Sequence, residues 1–231
     1  MDEAALRTKV AAARRILWRE GCDSNVGGQV SARSAEHPDA FWATGFEYFD
    51  QVDPEEVCLL GYDLQPREGS VKLSPALNAH ALIYQRRPDV NAVIHLHSHY
   101  VSVFSSLRRP LGMYNVTSVL FHESQALHVD DGTTPHSAVV DSLGDRRVVF
   151  MNNHGALLVA ETLEQATVEA VTLERCARYD LECRAAGGSE MPAAEVVNAT
   201  GSFRTFYLQH MWEAMSARLV RDEPVLFADL A

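Results

Sequence analysis

His95 and His97 stand two residues apart inside residues 91–97, where Ala92, Ile94 and Leu96 alternate with Val93, His95 and His97. Side chains at i and i+2 of an extended strand leave the same face, so both imidazoles can reach one divalent ion without bending the backbone. The same pair also suits an innocent place at a sheet edge or an interface. His99 shares that face if the strand continues, as a ligand, a supporting group or an exposed side chain. His154 enlarges the set: it falls between the apolar run 148–151 and Gly155, where a tight turn can aim a side chain into a cleft. Three imidazoles leave coordination positions open, as a catalytic metal requires. Zinc, Fe(II), Mn(II) and Co(II) all accept such a set.

Positioning these side chains requires strands braced by helices. Leu6, Val10, Ala13 and Leu17 recur at three- and four-residue steps ahead of Gly21, which predicts an amphipathic helix. Residues 27–43 mix Val, Ser, Phe and Trp with Gly and Pro and predict short antiparallel strands, with another over 56–62. Ser74 and Pro75 predict a helix start, and that helix carries Leu77, Ala81 and Tyr84 to a stop before Pro88. Residues 148–151 read as a buried strand and 156–160 as its partner across the 152–155 turn. Thr162 with Gln165 predicts a capping box that opens a long helix ending at Gly187 and Gly188. A last helix is expected over about 202–220. No repeat or polar linker divides the chain, so residues 1–231 are expected to form one α/β domain, a three-layer α+β arrangement around a mostly antiparallel sheet.

The chain has 231 residues, 47% hydrophobic and 22% charged, which suffices for a full core without disulfide staples. Its 31 acidic residues against 20 Lys and Arg give a formal charge of −11. No basic stripe is available to neutralise a phosphate backbone or anionic lipid, so neither nucleic acid nor membrane is expected as a partner. The N-terminus lacks a signal-peptide pattern, and Cys22, Cys58, Cys176 and Cys183 fit neither a zinc ribbon nor a redox pair. They read as ordinary thiols of a cytoplasmic protein.

The run Arg87-Pro-Asp-Val-Asn-Ala-Val-Ile-His-Leu-His-Ser resembles the class II aldolase/adducin family, together with His80 and Tyr84 before it and with Asn153-His-Gly, Glu164-Gln-Ala and Leu173-Glu-Arg after it. The resemblance extends from the first helix to about Gly188. It implies a central, mostly antiparallel sheet flanked by helices, a divalent metal on His95, His97 and His154, and a homo-tetramer with its sites between subunits. The helix over 202–220 would then lie at a subunit interface.

The pattern also breaks. In the family's sugar-phosphate aldolases, the carboxylate four residues before the helix histidine serves as acid/base, and here that position is Ala76. A methyl group neither ligates metal nor moves protons. The family's phosphate cradle is matched at Thr44, Gly45 and Ser74, but Pro75 replaces its second serine and Gly28-Gln29 its Gly-Asn pair. Proline removes one amide from such a cradle, so a carboxylate or another oxyanion is expected in place of a tightly held phosphate. Ser31 and Arg33 fit a structural role. For the missing acid/base, Glu123 is the first candidate, against a plain solvated glutamate. Tyr114, four residues after Pro110 like an acid tyrosine of the aldolases, is the second, against a buried interface aromatic. Arg204 suits a substrate carboxylate and His210 accompanies it on the last helix. His122, His128 and His136 are expected to be exposed loop residues.

These residues point to a metal-dependent lyase of decarboxylase or aldolase type that cleaves or forms a C–C bond next to a carbonyl in a small oxo or hydroxy acid. Decarboxylation suits Ala76 because loss of carbon dioxide needs no base to begin. The alternatives are a non-heme Fe(II) oxygenase acting on an aromatic 2-oxo acid in secondary metabolism, and a non-catalytic adducin-like scaffold.

Overall fold

The period-two pattern of β5 (Ala92–Leu96) sends Ala92, Ile94 and Leu96 into one apolar layer and Val93 into another, so both faces of the strand are covered. The computed structural model describes residues 2–70, 72–129 and 135–230, the side chains of His136 and Asp229 excepted. β5 pairs with β1 (Gln29–Arg33) on one side and β8 (Gly155–Ala160) on the other. Beyond β1 follow β2 (Ala40–Ala43), β3 (Cys58–Gly61) and β4 (Pro66–Glu68), and beyond β8 follow β7 (Val148–Met151) and β6 (Gln125–His128). All the pairings are antiparallel except that of β6 with β7.

Helices complete the three layers. The face holding Ile94 and Leu96 packs under α1 (Glu3–Arg19), α5 (Leu163–Ala185) and α7 (Leu208–Asp222), which supply Leu17, Val171 and Met215. The face holding Val93, Phe41 and Leu157 packs under α2 (Leu77–Arg86) and α4 (His136–Leu143) through Ile83 and Val140. α3 (His99–Ser105) buries Val101 and Phe104 on the α5 side. α6 (Ala193–Ser202) precedes α7, and α8 (Pro224–Phe227) follows it.

Local sequence signals account for much of this. Thr162 Oγ1 accepts the Gln165 N–H at 3.1 Å as an N-cap, although the Gln165 side chain donates to Glu169 Oε1 at 3.1 Å and so closes only half of the predicted box. Ser74 Oγ accepts the Ala76 N–H at 3.3 Å, but Pro75 and Ala76 form a turn and α2 begins at Leu77. The expected last helix begins earlier than 202: α6 continues through a π-turn at Phe203–Tyr207 into α7. Gly201 lies inside this continuous segment, held there because Phe203, Tyr207, Met211, Met215 and Leu219 recur every four residues against the core. Periodicity predicts neither α3, α4 nor β6, which have 7, 8 and 4 residues, too short for a repeat to register. All four cysteines are free thiols, and no helix among the described residues is long and apolar enough to cross a membrane.

Candidate metal centre

His95 projects from β5 on the α2/α4 face, 4% exposed, and its Nδ1 lies 3.1 Å from the Ala156 carbonyl of β8. A carbonyl only accepts, so Nδ1 carries the proton and Nε2 keeps its lone pair, the tautomer a metal needs. His97 Nε2 lies 2.7 Å from His95 Nε2, and His154 Nε2 lies 2.9 Å from His97 Nε2. One ligand atom from each of the three side chains fits within a common 4.8 Å. Imidazole nitrogens about 2.0–2.1 Å from one ion sit roughly 3 Å apart, so the donor set fits a divalent metal.

The backbone makes room for this convergence. The His97 N–H donates to Ser24 Oγ at 3.0 Å, and a Cβ on Gly27 would come within 2.7 Å of His97 Nδ1. Asn153 takes a left-handed φ of 55°, which asparagine tolerates, and turns the chain so that the exposed His154 faces the pair. A Cβ on Gly155 would meet the Leu96 carbonyl at 2.1 Å, so β5 and β8 approach closely only because this residue is glycine.

Burial holds His95 well below the ordinary imidazole range, helped by His97 and His154 beside it, and brings His97 down to about 4. His80 on α2, fully buried, is brought by burial to about 3; its Nδ1 lies 2.7 Å from Ser31 Oγ, which is 2.8 Å from Tyr84 Oη. Depressed values make the folded state bind fewer protons than the unfolded chain, whose histidines titrate near 6.5. The metal-free protein should therefore keep full stability above about pH 6.5 and lose it as pH falls toward 4. Thermal midpoints in chelator between pH 4 and 8 check this, and a midpoint that is flat across that window contradicts it.

The histidines open onto a cavity of about 230 Å³ lined also by Gly27, Phe46, Ser74, Ala76, Val139 and Met151, with Pro75, Ala79 and Leu157 completing the wall. Among the described residues, Ser74 is the one polar side chain there besides the imidazoles. Ala76, just ahead of α2, lines the same cavity as the three histidines. Gly28, Gln29, Thr44 and Gly45 are buried and do not line the cavity. Gln29 Nε2 donates to the Gly45 carbonyl at 3.2 Å, while Gln29 Oε1 and Thr44 Oγ1 have no partner among the described residues. Ser31 is hydrogen-bonded to His80 and Tyr84, and Arg33 donates to the carbonyls of Val90, Tyr84 and Arg87 at 2.9 Å each.

Several expected site residues are not brought to the triad within this chain. Glu123 is exposed with a left-handed φ of 56° and lines other clefts, with Arg146 and Arg147 and with Pro110 and His122. Tyr114 lies under the Arg184 guanidinium, 5.3 Å from its ring centroid. Arg204 donates to the Leu120 carbonyl at 3.3 Å beside α5, across the sheet from the histidines. His210 is exposed, edge-on to Phe206 at 6.5 Å. The strand does not continue to His99: Ser98 turns the chain, and exposed His99 opens α3. His128, expected in an exposed loop, is buried on β6 with Nδ1 2.9 Å from Ser142 Oγ. The side chain of His136 is outside the described residues, and its backbone opens α4. Sequence reading did not reach Phe46, Ala79, Val139, Met151 and Leu157, because an apolar residue lining a cavity has the same pattern as one filling the core.

Residues 8–181 match the family described as Class II Aldolase and Adducin N-terminal domain. The 4-hydroxy-3-prenylphenylpyruvate oxygenase/4-hydroxy-3-prenylbenzoate synthase of Streptomyces roseochromogenus subsp. oscitans is 31% identical over 211 residues, 86% of this chain and 75% of the relative. Decarboxylase NovR of Streptomyces niveus is also 31% identical over 211 residues, 86% of this chain and 77% of its own. In fold, the L-fuculose 1-phosphate aldolase of Glaciozyma antarctica PI12 superposes with a TM-score of 0.85 at 24% identity, over 95% of this chain and 91% of that one.

Proposed function

The chain belongs to the class II aldolase and adducin family, and from that premise we propose that it is a divalent-metal-dependent lyase. The reaction makes or breaks a C–C bond next to a carbonyl in a small oxo or hydroxy acid, by decarboxylation or aldol chemistry. The convergence of the Nε2 atoms of His95, His97 and His154 carries this reading. A divalent ion held there would supply Lewis-acid polarisation of the carbonyl and stabilise negative charge on its oxygen. Ala76 offers no base, which favours decarboxylation, where the C–C bond breaks without prior proton removal. Ser74 offers the substrate a hydroxyl, and Phe46, Val139, Met151 and Leu157 exclude water and receive an apolar body. The proposal includes a homo-tetramer, in which Tyr114, Glu123, Arg204 and His210, away from the triad of their own chain, would serve that of a neighbouring copy.

The apolar wall also favours a second reading, a non-heme Fe(II) oxygenase acting on an aromatic 2-oxo acid, in line with the oxygenase named among the relatives. Protein stripped of metal and reloaded with zinc, Mn(II), Co(II) or Fe(II) separates the two on a panel of aliphatic and aromatic oxo and hydroxy acids. The lyase is expected to release carbon dioxide or aldehyde in proportion to bound metal with no oxygen uptake. Strict oxygen consumption with Fe(II) alone would instead establish the oxygenase. Failure to take up any ion would leave a scaffold.

A further inference from the structure

His97 and His154 reach the same point from separate elements, and one short helix follows the first in the chain and is bonded to the turn of the second. α3 begins two residues after His97, while its other end meets the turn that carries His154. Ser102 Oγ donates to the His154 carbonyl at 3.2 Å, and the His154 N–H donates to Ser105 Oγ at 3.2 Å. The peptide groups on both sides of His154 are thus held by two hydroxyls one helical turn apart. Arg108, just beyond the helix in a left-handed φ of 51°, donates from Nε to Asn152 Oδ1 at 2.8 Å, bracing the start of the same turn. The buried Glu174 carboxylate fixes the opposite end of α3, accepting from Ser98 Oγ at 2.7 Å and from the Tyr100 and Val101 N–H groups at 2.8 Å. α3 is therefore anchored to α5 at one end and to the His154 turn at the other.

His154 is the most exposed of the three imidazoles. His95 is buried in β5 with its ring tied to Ala156, and the His97 backbone is tied to Ser24. His154 is exposed, and its turn is closed locally by the bond from its own N–H to the Met151 carbonyl at 3.0 Å.

We propose that Ser102, Ser105 and Arg108 are positioning residues that hold His154 in ligating register with His97, α3 being the rigid link that sets the affinity of the site for its ion. This rests on the metal-dependent reading above. Groups that orient metal ligands change affinity by about 10–100-fold when removed. The test titrates Co(II) into metal-free protein by calorimetry and records the visible spectrum of bound Co(II).

Ser102→Ala with Ser105→Ala is expected to weaken Co(II) binding at least tenfold and to alter its spectrum, since His154 no longer holds one orientation. Ser102→Thr, which keeps the hydroxyl, should bind as the parent does. Arg108→Gln, at an exposed position where folding is not at stake, should weaken binding by a smaller factor. Parental affinity and spectrum in both the double variant and Arg108→Gln would overturn the positioning role while leaving the metal reading intact. An unsubstituted protein that takes up no Co(II), zinc, Mn(II) or Fe(II) would overturn both.

Discussion

His95→Ala is expected to abolish stoichiometric binding of a divalent ion and to lower turnover by about 10³-fold or more. The His95 tautomer is fixed by a backbone carbonyl, and the residue is almost wholly buried against the cavity. Lewis-acid stabilisation of a developing oxyanion contributes several kcal/mol, and ~4 kcal/mol corresponds to about a thousandfold in rate. A buried imidazole also fills space, so its removal will lower the melting temperature somewhat. His154→Ala provides the control: this exposed residue is not part of the apolar core, so metal and activity should fall while the fold stays unchanged. Metal content by atomic absorption, turnover and melting curves of the two variants decide the matter together. Undiminished turnover by metal-free His95→Ala protein would refute the lyase.

Gly155→Ala should strongly destabilise the fold. The new carbon would stand 2.1 Å from the Leu96 carbonyl oxygen and 3.2 Å from His97 Cδ2. The first obstacle is backbone on a central strand, so β5 and β8 must separate before the side chain fits. Overpacking of this kind costs about 3 kcal/mol, which corresponds to roughly 6–12 °C in melting temperature for a chain of this size. Gly27→Ala makes the contrast. Its obstacle is the His97 ring, at 2.7 Å, and a side chain can swing aside. It should therefore melt close to the parent yet bind metal poorly. Similar stability losses in the two variants would contradict the distinction drawn between backbone and ring.

Much of this arrangement was legible beforehand. Alternation along β5 placed His95 and His97 on one face because strand periodicity is a local property of the backbone. The cap at Thr162 and the strand–turn–strand around His154 follow equally from nearest neighbours. The absence of a carboxylate at Ala76 was a plain reading of residue type, and the structure places that alanine in the wall beside the triad. Proximity in sequence to the metal strand suggests Glu123, whereas the tertiary structure sets it in a cleft with Arg146 and Arg147. Short elements such as α3 stayed hidden because seven residues carry too little period and take their stability from Glu174, far away in the chain.

The sequence by itself determined the donor chemistry: which side chains carry lone pairs, which two share a strand face, and which position lacks an acid. Only the tertiary structure decided how His154 meets that pair, that the wall opposite is apolar, and that α3 is bonded to the turn that carries His154. Residue type and backbone period act over a few residues, whereas convergence depends on the sheet register between β5 and β8 and on the packing of α3 against α5. Those are set by the summed burial of the whole core, and no local stretch of sequence contains them.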